Sequence, residues 1–133
     1  MTQTPLILVI EDSPSLRATI VRTLEISGFR VHAAAKAMDG IRSARHEHPD
    51  LILTDVQLPD LDGASAASYL KDNPDFKDIP VVLMSVLNAE ELASRRAETG
   101  AVDVLCKPFT PGELVRQIRH WLAATRLEFG EEG

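Results

Sequence analysis

The chain has 133 residues, 44% of them hydrophobic, with a formal net charge of -6 and a pI near 5.1. This length and hydrophobic content suit one domain with one core and leave no room for a second domain. The acidic balance argues against direct nucleic-acid binding, which needs a basic surface, and apolar runs far shorter than ~20 residues argue against a membrane span.

The first predicted strand is the apolar run Leu6–Ile10, which ends in the two acids Glu11 and Asp12. The residues before it, MTQTP, lack the charged and apolar regions of a signal peptide, so we expect a cytoplasmic protein. A helix is expected next, ending at Gly28. Its signals are an N-cap serine, a first-turn proline and three apolar residues at helical spacing: Ser13, Pro14, Leu16, Ile20 and Leu24.

The second predicted strand, residues 29–34, alternates between apolar and polar residues, which is typical of a strand at the edge of a sheet. A weaker helix follows, marked by Met38, Ile41 and Ala44. This helix should end before Pro49, because the residue preceding a proline disfavours helical geometry.

The third predicted strand runs from Leu51 to Asp55 and begins with a continuous apolar run, which is typical of a strand buried on both faces. Its last residue, Asp55, is therefore expected at the carboxyl end of the strand, where open α/β sheets bind their ligands. A loop of turn-forming residues follows, in which Asp60 and Asp62 are expected to be turn and cap acids.

The fourth predicted strand is the run Pro80–Met84, and Ser85 lies at its end. A mostly charged fourth helix follows; its apolar face is thin, so we expect it to be the element that shifts most easily. Residues 102–106 alternate in polarity and predict the second edge strand. The single cysteine, Cys106, agrees with a reducing compartment and is expected to be buried in this strand, directly before Lys107.

The last predicted helix begins with a capping motif and carries its apolar residues on one face: Thr110, Pro111 and Glu113, then Leu114, Ile118, Trp121 and Leu122. The domain is expected to span residues 5–126. Residues 127–133 form a short acidic tail without a packing signal, and no output domain is expected to follow.

Five strands alternating with five helices predict an α/β fold, with a parallel sheet covered by helices on both faces and joined by right-handed crossovers. Placing the two alternating strands at the edges gives the order 2-1-3-4-5, the flavodoxin-like winding. In this order, strands 1 and 3 flank the point where the winding reverses and a crevice opens. Glu11, Asp12 and Asp55 are all expected in that crevice.

Three carboxylates in one crevice indicate a cation site, because two like charges about 4 Å apart repel by ~4 kcal/mol at an effective dielectric of about 20. An all-oxygen site with room for water suits Mg²⁺. Ser85 and Lys107 at the same edge would bind a tetrahedral anion beside the metal. The combination predicts phosphoryl transfer onto a carboxylate. Asp55 is the expected nucleophile, because it stands alone while Glu11 and Asp12 form a pair.

The order Glu11-Asp12, Asp55, Ser85 and Lys107-Pro108 on alternating strands resembles the receiver domain of bacterial two-component response regulators. The resemblance covers about residues 5–126. It implies that Asp55 accepts a phosphoryl group from a histidine kinase or a histidine phosphotransfer protein. The implied Mg²⁺ ligands are the side chains of Asp12 and Asp55 and the backbone carbonyl of Gln57, with Glu11 acting through water.

The resemblance also implies that Ser85 moves toward the phosphoryl oxygen, that Lys107 pairs with it, and that the bond before Pro108 is cis. A downstream protein target would bind the surface formed by the fourth helix, the fifth strand and the fifth helix. Two positions depart from the family pattern. Val104 stands where receivers usually carry a tyrosine or phenylalanine, and Val86 stands where a small residue is usual.

Because the usual aromatic residue is missing, we expect the signal to pass through backbone movement of residues 85–88 and the fourth helix. Amide shifts under phosphoryl mimicry would test this route. Of the two residues that flank the path of a hydrolytic water, Gln57 can hold that water but Leu87 cannot. A comparatively long-lived aspartyl phosphate is therefore expected.

Two alternative functions stay open. A pseudo-receiver, which would bind partners without being phosphorylated, is favoured by Val104 in the aromatic position. An aspartate-nucleophile phosphatase needs a second acid two residues after the nucleophile, where Gln57 stands, so efficient ester hydrolysis is not expected. The sequence also leaves open the cognate kinase, the target, and the choice between a stand-alone regulator and a receiver excised from a longer protein.

Overall fold

A computed structural model describes residues 4–86, 90, 91, 93, 94 and 100–128. Five strands form one sheet: β1 (Leu6–Ile10), β2 (Arg30–Ala34), β3 (Leu51–Asp55), β4 (Val81–Ser85) and β5 (Asp103–Cys106). Neighbouring strands are parallel, and their order is β2-β1-β3-β4-β5. The predicted flavodoxin-like winding is confirmed.

The described part of the chain contains four helices: α1 (Pro14–Ile26), α2 (Ala37–Glu47), α3 (Gly63–Asp72) and α4 (Pro111–Glu128). Helix α4 is the fifth helix predicted from the sequence. The predicted fourth helix lies largely outside the described residues. Among the helices that the structure describes, none has the length and apolar character that a membrane crossing requires.

Local sequence signals begin and end these helices. Ser13 caps α1 by accepting a hydrogen bond from the Leu16 amide, and Pro14 occupies the first turn. Beyond the C-terminus of α1, Gly28 adopts a φ of 99°, a conformation that favours glycine. At the start of α4, Thr110 and Glu113 exchange side-chain to backbone hydrogen bonds, which forms the predicted capping box.

The sheet separates two hydrophobic layers, and alternate residues of the central strands enter opposite layers. One layer packs α2 and α3 against the sheet, and the other packs α1 and α4. Every residue of β1, β3 and β4 is buried, whereas β2 is mostly exposed. Uniform apolar runs therefore did identify the central strands, and alternation identified the edges.

One prediction about burial is wrong, that of Cys106, and one residue that marked α2, Met38, is exposed. Met38 is 51% exposed, because α2 buries a neighbouring stripe consisting of Ala37, Gly40, Ile41 and Ala44. Met38 instead lies beside Tyr69 of α3 in an open groove. Cys106 is also exposed, because it ends the edge strand β5 and follows the buried Leu105 in a strand whose successive side chains alternate.

Helix α2 lies very close to the end of β1 at Gly40. A Cβ atom added to Gly40 would lie 2.3 Å from Cδ1 and 2.7 Å from Cγ1 of the fully buried Ile10. Glycine at this position therefore allows the helix to approach the last residue of β1. Because Glu11 follows directly, this contact fixes α2 relative to the strand that carries the first acid.

Gly40→Ala is expected to lower the free energy of unfolding by about 1–3 kcal/mol, because overpacking outweighs the better helix propensity of alanine. Urea unfolding would measure the change. The matched control is Gly112→Ala in the first turn of α4, where the added Cβ would meet only Thr110 Oγ1 at 3.9 Å. We expect the control to be neutral or stabilising. A Gly40→Ala variant as stable as wild type would contradict the tight contact.

Candidate functional site

The carboxyl ends of four strands bring the predicted residues to one edge of the sheet. Glu11 directly follows β1, Asp55 and Ser85 end β3 and β4, and Lys107 directly follows β5. The backbone continues the sheet ladder past the strand ends. The Glu11 amide donates to the Ala34 carbonyl at 3.0 Å, and the Lys107 amide donates to the Ser85 carbonyl at 2.7 Å. The hydrogen bonds of the sheet therefore fix the backbone positions of Glu11 and Lys107.

A buried ion cluster joins Lys107 to two acids. Its Nζ atom lies 2.8 Å from Oε1 of Glu11 and 2.6 Å from Oδ2 of Asp55. Glu11 and Asp55 are buried, and the Lys107 side chain is only 16% exposed. One ammonium group therefore serves two carboxylates in a place where water screens their charges poorly.

Burial and ion pairing shift the pKa values of Glu11 and Lys107 in opposite directions. Burial raises the pKa of Glu11 above its ordinary value, although hydrogen bonds from Lys107 and from the Ser13 amide partly offset this effect. Burial alone would lower the pKa of Lys107, but the carboxylates of Asp55 and Glu11 outweigh burial and raise it. Lys107 is therefore charged throughout the physiological range, as a group that neutralises acids must be.

A third acid completes a cluster of oxygen ligands. Carboxylate oxygens of Glu11, Asp12 and Asp55 all lie within 4.8 Å of one another. Asp12 is exposed whereas the other two are buried, so the cluster opens to solvent on one side. Hard oxygen donors with access for water are the ligand chemistry that Mg²⁺ prefers. The cluster can therefore hold a metal ion.

The Asp55 carboxylate is held at both oxygens. Oδ2 contacts Lys107, and Oδ1 accepts a hydrogen bond from the Gln57 amide at 3.0 Å. The Gln57 bond turns the chain immediately after β3 and keeps that backbone beside the carboxylate. A carboxylate held in this way at the end of a strand is oriented before any ligand arrives.

The sequence around this site matches a known protein family. The family model described as response regulator receiver domain matches residues 7–119. The chain belongs to this family. The predicted family is therefore confirmed, and this receiver domain is a signalling protein of two-component systems.

Curated relatives of this receiver domain are transcriptional regulatory proteins. The protein PrrA of Mycobacterium tuberculosis is 36% identical over 117 residues, which cover 86% of this chain and 48% of PrrA. The phosphate regulon protein PhoB of Escherichia coli is 38% identical over 113 residues, which cover 85% of this chain and 49% of PhoB. The chain thus spans about half the length of these relatives.

Solved receiver domains share the fold. The receiver domain of the sensor histidine kinase PA1611 from Pseudomonas aeruginosa, with a magnesium ion in its active-site cleft, is 30% identical with a TM-score of 0.83; the match covers 91% of this chain and 99% of that one. A receiver domain of a histidine kinase from Syntrophus aciditrophicus is also 30% identical, with a TM-score of 0.84 and coverage of 91% and 92%.

The residues predicted to form the switch surface of this receiver domain lie at several depths. Ser85 is buried, Val86 is 75% exposed, and Val104 is half-buried against the layer of α2 and α3. The peptide bond between Lys107 and Pro108 is cis, as the resemblance implied. Residue 87 and most of the predicted fourth helix lie outside the described residues, so a signalling route through them stays a prediction.

Sequence reasoning missed two supports of the site. The Arg17 guanidinium of α1 donates to the backbone carbonyls of Glu11 and Asp12, at 2.8 and 3.4 Å, and so braces the turn that carries both acids. Asp60, which was predicted together with Asp62 as a turn or cap acid, caps α2, a helix that precedes it in the chain. A cation shortly after two acids was the one available signal for Arg17, and nothing in the sequence connected Asp60 with α2.

Proposed function

We propose that this receiver domain accepts a phosphoryl group on Asp55 from a phosphohistidine of a histidine kinase or a histidine phosphotransfer protein. The observation that supports this proposal best is the sharing of the Lys107 ammonium group between the buried acids Asp55 and Glu11, with Asp12 beside them. A nucleophile, a fixed cation and a cluster of oxygen ligands are the groups that phosphoryl transfer requires.

In the proposed step, a carboxylate oxygen of Asp55 attacks the phosphorus atom, and the bond between phosphorus and the histidine nitrogen breaks. The electron pair of that bond returns to the imidazole, and an aspartyl phosphate forms. Lys107, which is charged and close to Asp55, compensates the negative charge of the phosphoryl oxygens. Ser85, buried at the end of β4, would donate its hydroxyl to one of these oxygens.

The residues proposed to hold Mg²⁺ are Asp12, Asp55 and the backbone carbonyl of Gln57, with Glu11 acting through water. Their chemistry fits the ion, since all are hard oxygen donors. Bound there, Mg²⁺ would supply positive charge opposite the phosphoryl oxygens. The PA1611 receiver domain, which holds magnesium in its active-site cleft, supports this assignment by likeness.

Phosphorylation is proposed to change the surface around Ser85, Val86, Val104 and Pro108, and thereby the binding of a downstream protein. The expectation that the chain binds no nucleic acid directly stays a prediction, based on its net charge of -6. PrrA and PhoB are transcriptional regulatory proteins, and this chain matches about half of each. We therefore place any contact with nucleic acid outside the matched segment.

Incubation with acetyl phosphate and Mg²⁺ tests the proposed function. Intact-protein mass spectrometry should show the mass of one added phosphoryl group, localised to Asp55 after digestion, and addition of a chelator should prevent it. Continuous release of phosphate without an accumulating adduct would favour an aspartate-nucleophile phosphatase. The absence of an adduct from acetyl phosphate and from a phosphohistidine donor would favour a pseudo-receiver.

A further inference from the structure

Asp60 supplies the N-terminal cap of a helix that precedes it in the chain. Its Oδ1 atom accepts a hydrogen bond from the Ala37 amide at 2.8 Å, and its Oδ2 atom accepts one from the Met38 amide at 3.0 Å. Within the described part of the chain, Lys36, the N-cap residue of α2, makes no side-chain cap hydrogen bond. The carboxylate of Asp60 therefore satisfies amides that a local cap would otherwise serve.

The first turn of α2, to which Asp60 binds, is tightly packed beside β1, the strand that precedes Glu11 and Asp12. Ala37 is fully buried, and α2 presses Gly40 against Ile10 at the end of β1. The residues after Ile10 are Glu11 and Asp12. The first turn of α2 is thus fixed relative to the strand that delivers two of the three acids.

The segment between Asp55 and Asp60 is short and held along its length. The Gln57 amide bonds to the Asp55 carboxylate, and the half-buried Leu58 packs against the layer of α2 and α3. Pro59 has a restricted φ, and three residues span at most about 10 Å. Movement of Asp60 would therefore be transmitted to the backbone of Gln57.

We propose that Asp60 is a positioning residue for the metal site. By fastening the loop after β3 to the first turn of α2, it sets the location of the Gln57 carbonyl relative to Asp12 and Asp55. This inference rests on the proposed function, in which that carbonyl is a Mg²⁺ ligand. Asp60 itself does not bind the ion. Because coupling is reciprocal, Mg²⁺ binding should also slow hydrogen exchange at the Ala37 and Met38 amides.

Calorimetric titration of the full chain with Mg²⁺ alone tests the proposal. Asp60→Ala is expected to raise the Kd for Mg²⁺ by about threefold to tenfold, since partners that orient metal ligands have effects of this order or larger. Asp60→Asn should raise the Kd less than Asp60→Ala, because the asparagine oxygen can still accept from one of the two amides, whereas its NH2 group cannot accept from the other. Partial rescue by asparagine would show that the remaining cap hydrogen bond positions the loop without the negative charge.

Asp50→Ala is the matched control. Its carboxylate also accepts a hydrogen bond from a distant backbone amide, that of Leu6 at 2.8 Å. This bond lies at the amino ends of β1 and β3, away from the candidate site at their carboxyl ends. We expect Asp50→Ala to leave the Kd for Mg²⁺ unchanged. Wild-type affinity in Asp60→Ala, or equal weakening in Asp50→Ala and Asp60→Ala, would overturn the proposal.

Metal-free spectra distinguish failure of this inference from failure of the proposed function. In the absence of Mg²⁺, the amide resonance of Gln57 should shift in Asp60→Ala and stay unchanged in Asp50→Ala. An unshifted Gln57 amide in Asp60→Ala would show that Asp60 does not control this loop, whatever the metal affinity. If wild type failed to bind Mg²⁺ but the Gln57 amide resonance shifted in Asp60→Ala, the proposed metal site would be contradicted. The proposal that Asp60 positions the loop would still be supported.

Discussion

Replacing Asp55 with asparagine (Asp55→Asn) is expected to abolish covalent phosphorylation of this receiver domain. An amide is nearly the same shape as a carboxylate but is a far poorer nucleophile, and it withdraws one negative charge from the acid cluster. Lys107 keeps Glu11 as a partner, and the Gln57 amide can still bond to the side-chain oxygen, so the fold should be retained. Intact-protein mass spectrometry after reaction with acetyl phosphate and Mg²⁺ would measure the loss.

Asp50→Asn provides the control for this prediction, because it makes the same chemical change at the amino end of β3, away from the candidate site. This variant should be phosphorylated like wild type. Thermal unfolding of both variants would show that each is folded. Phosphorylation of Asp55→Asn at the wild-type level would place the acceptor on another side chain and contradict the proposed step.

The fold was predictable because its determinants are local. The runs that begin at Leu6, Leu51 and Val81 are uniformly apolar because both faces of these strands are covered. The edge strand β2 alternates because solvent reaches one of its faces. Since parallel strands end at a common edge, the strand positions alone were enough to bring Asp55 and Lys107 together.

The remaining details depend on contacts between distant parts of the chain. The ion pair between Lys107 and Glu11 joins residues 96 positions apart, and its geometry depends on side-chain conformations that a strand pattern does not specify. Asp60 reaches back 23 positions to cap α2. The stripe that α2 buries is set by its packing on Ile10 and α3, which is why Met38 is exposed although it belongs to the apolar pattern of the helix.

Lys107→Met is expected to have the largest effect on stability, because it removes the cation shared by Glu11 and Asp55 and leaves two buried acids uncompensated. Methionine has a similar length and no charge. Breaking a buried ion pair at one partner typically costs 3–5 kcal/mol, so we expect a loss of about 3 kcal/mol in the free energy of unfolding at neutral pH. Loss of the charge opposite the phosphoryl oxygens should also slow phosphorylation by about 100-fold.

The dependence on pH separates this electrostatic effect from simple loss of packing. Without Lys107, the pKa of Glu11, which burial already raises, should rise further. A carboxyl group with a raised folded-state pKa contributes stability below its ordinary pKa and loses that contribution as pH rises through the folded-state value. The stability difference between wild type and Lys107→Met should therefore be largest at neutral pH and shrink toward pH about 4, where carboxyl groups take up protons.

Urea unfolding across this pH range, with and without Mg²⁺, would measure both effects of Lys107→Met. Mg²⁺ should raise the free energy of unfolding more in the variant than in wild type, because in the variant no ammonium group competes with the ion for the acids. Lys77→Met, a change at an exposed lysine, should produce little difference at any pH. A pH-independent loss in Lys107→Met would show that Lys107 supports the fold through packing alone. In wild type, the contribution of Lys107 to the free energy of unfolding is lost at high pH. Because the folded-state pKa of Lys107 is raised, this contribution is complete at neutral pH and disappears as pH rises through that pKa.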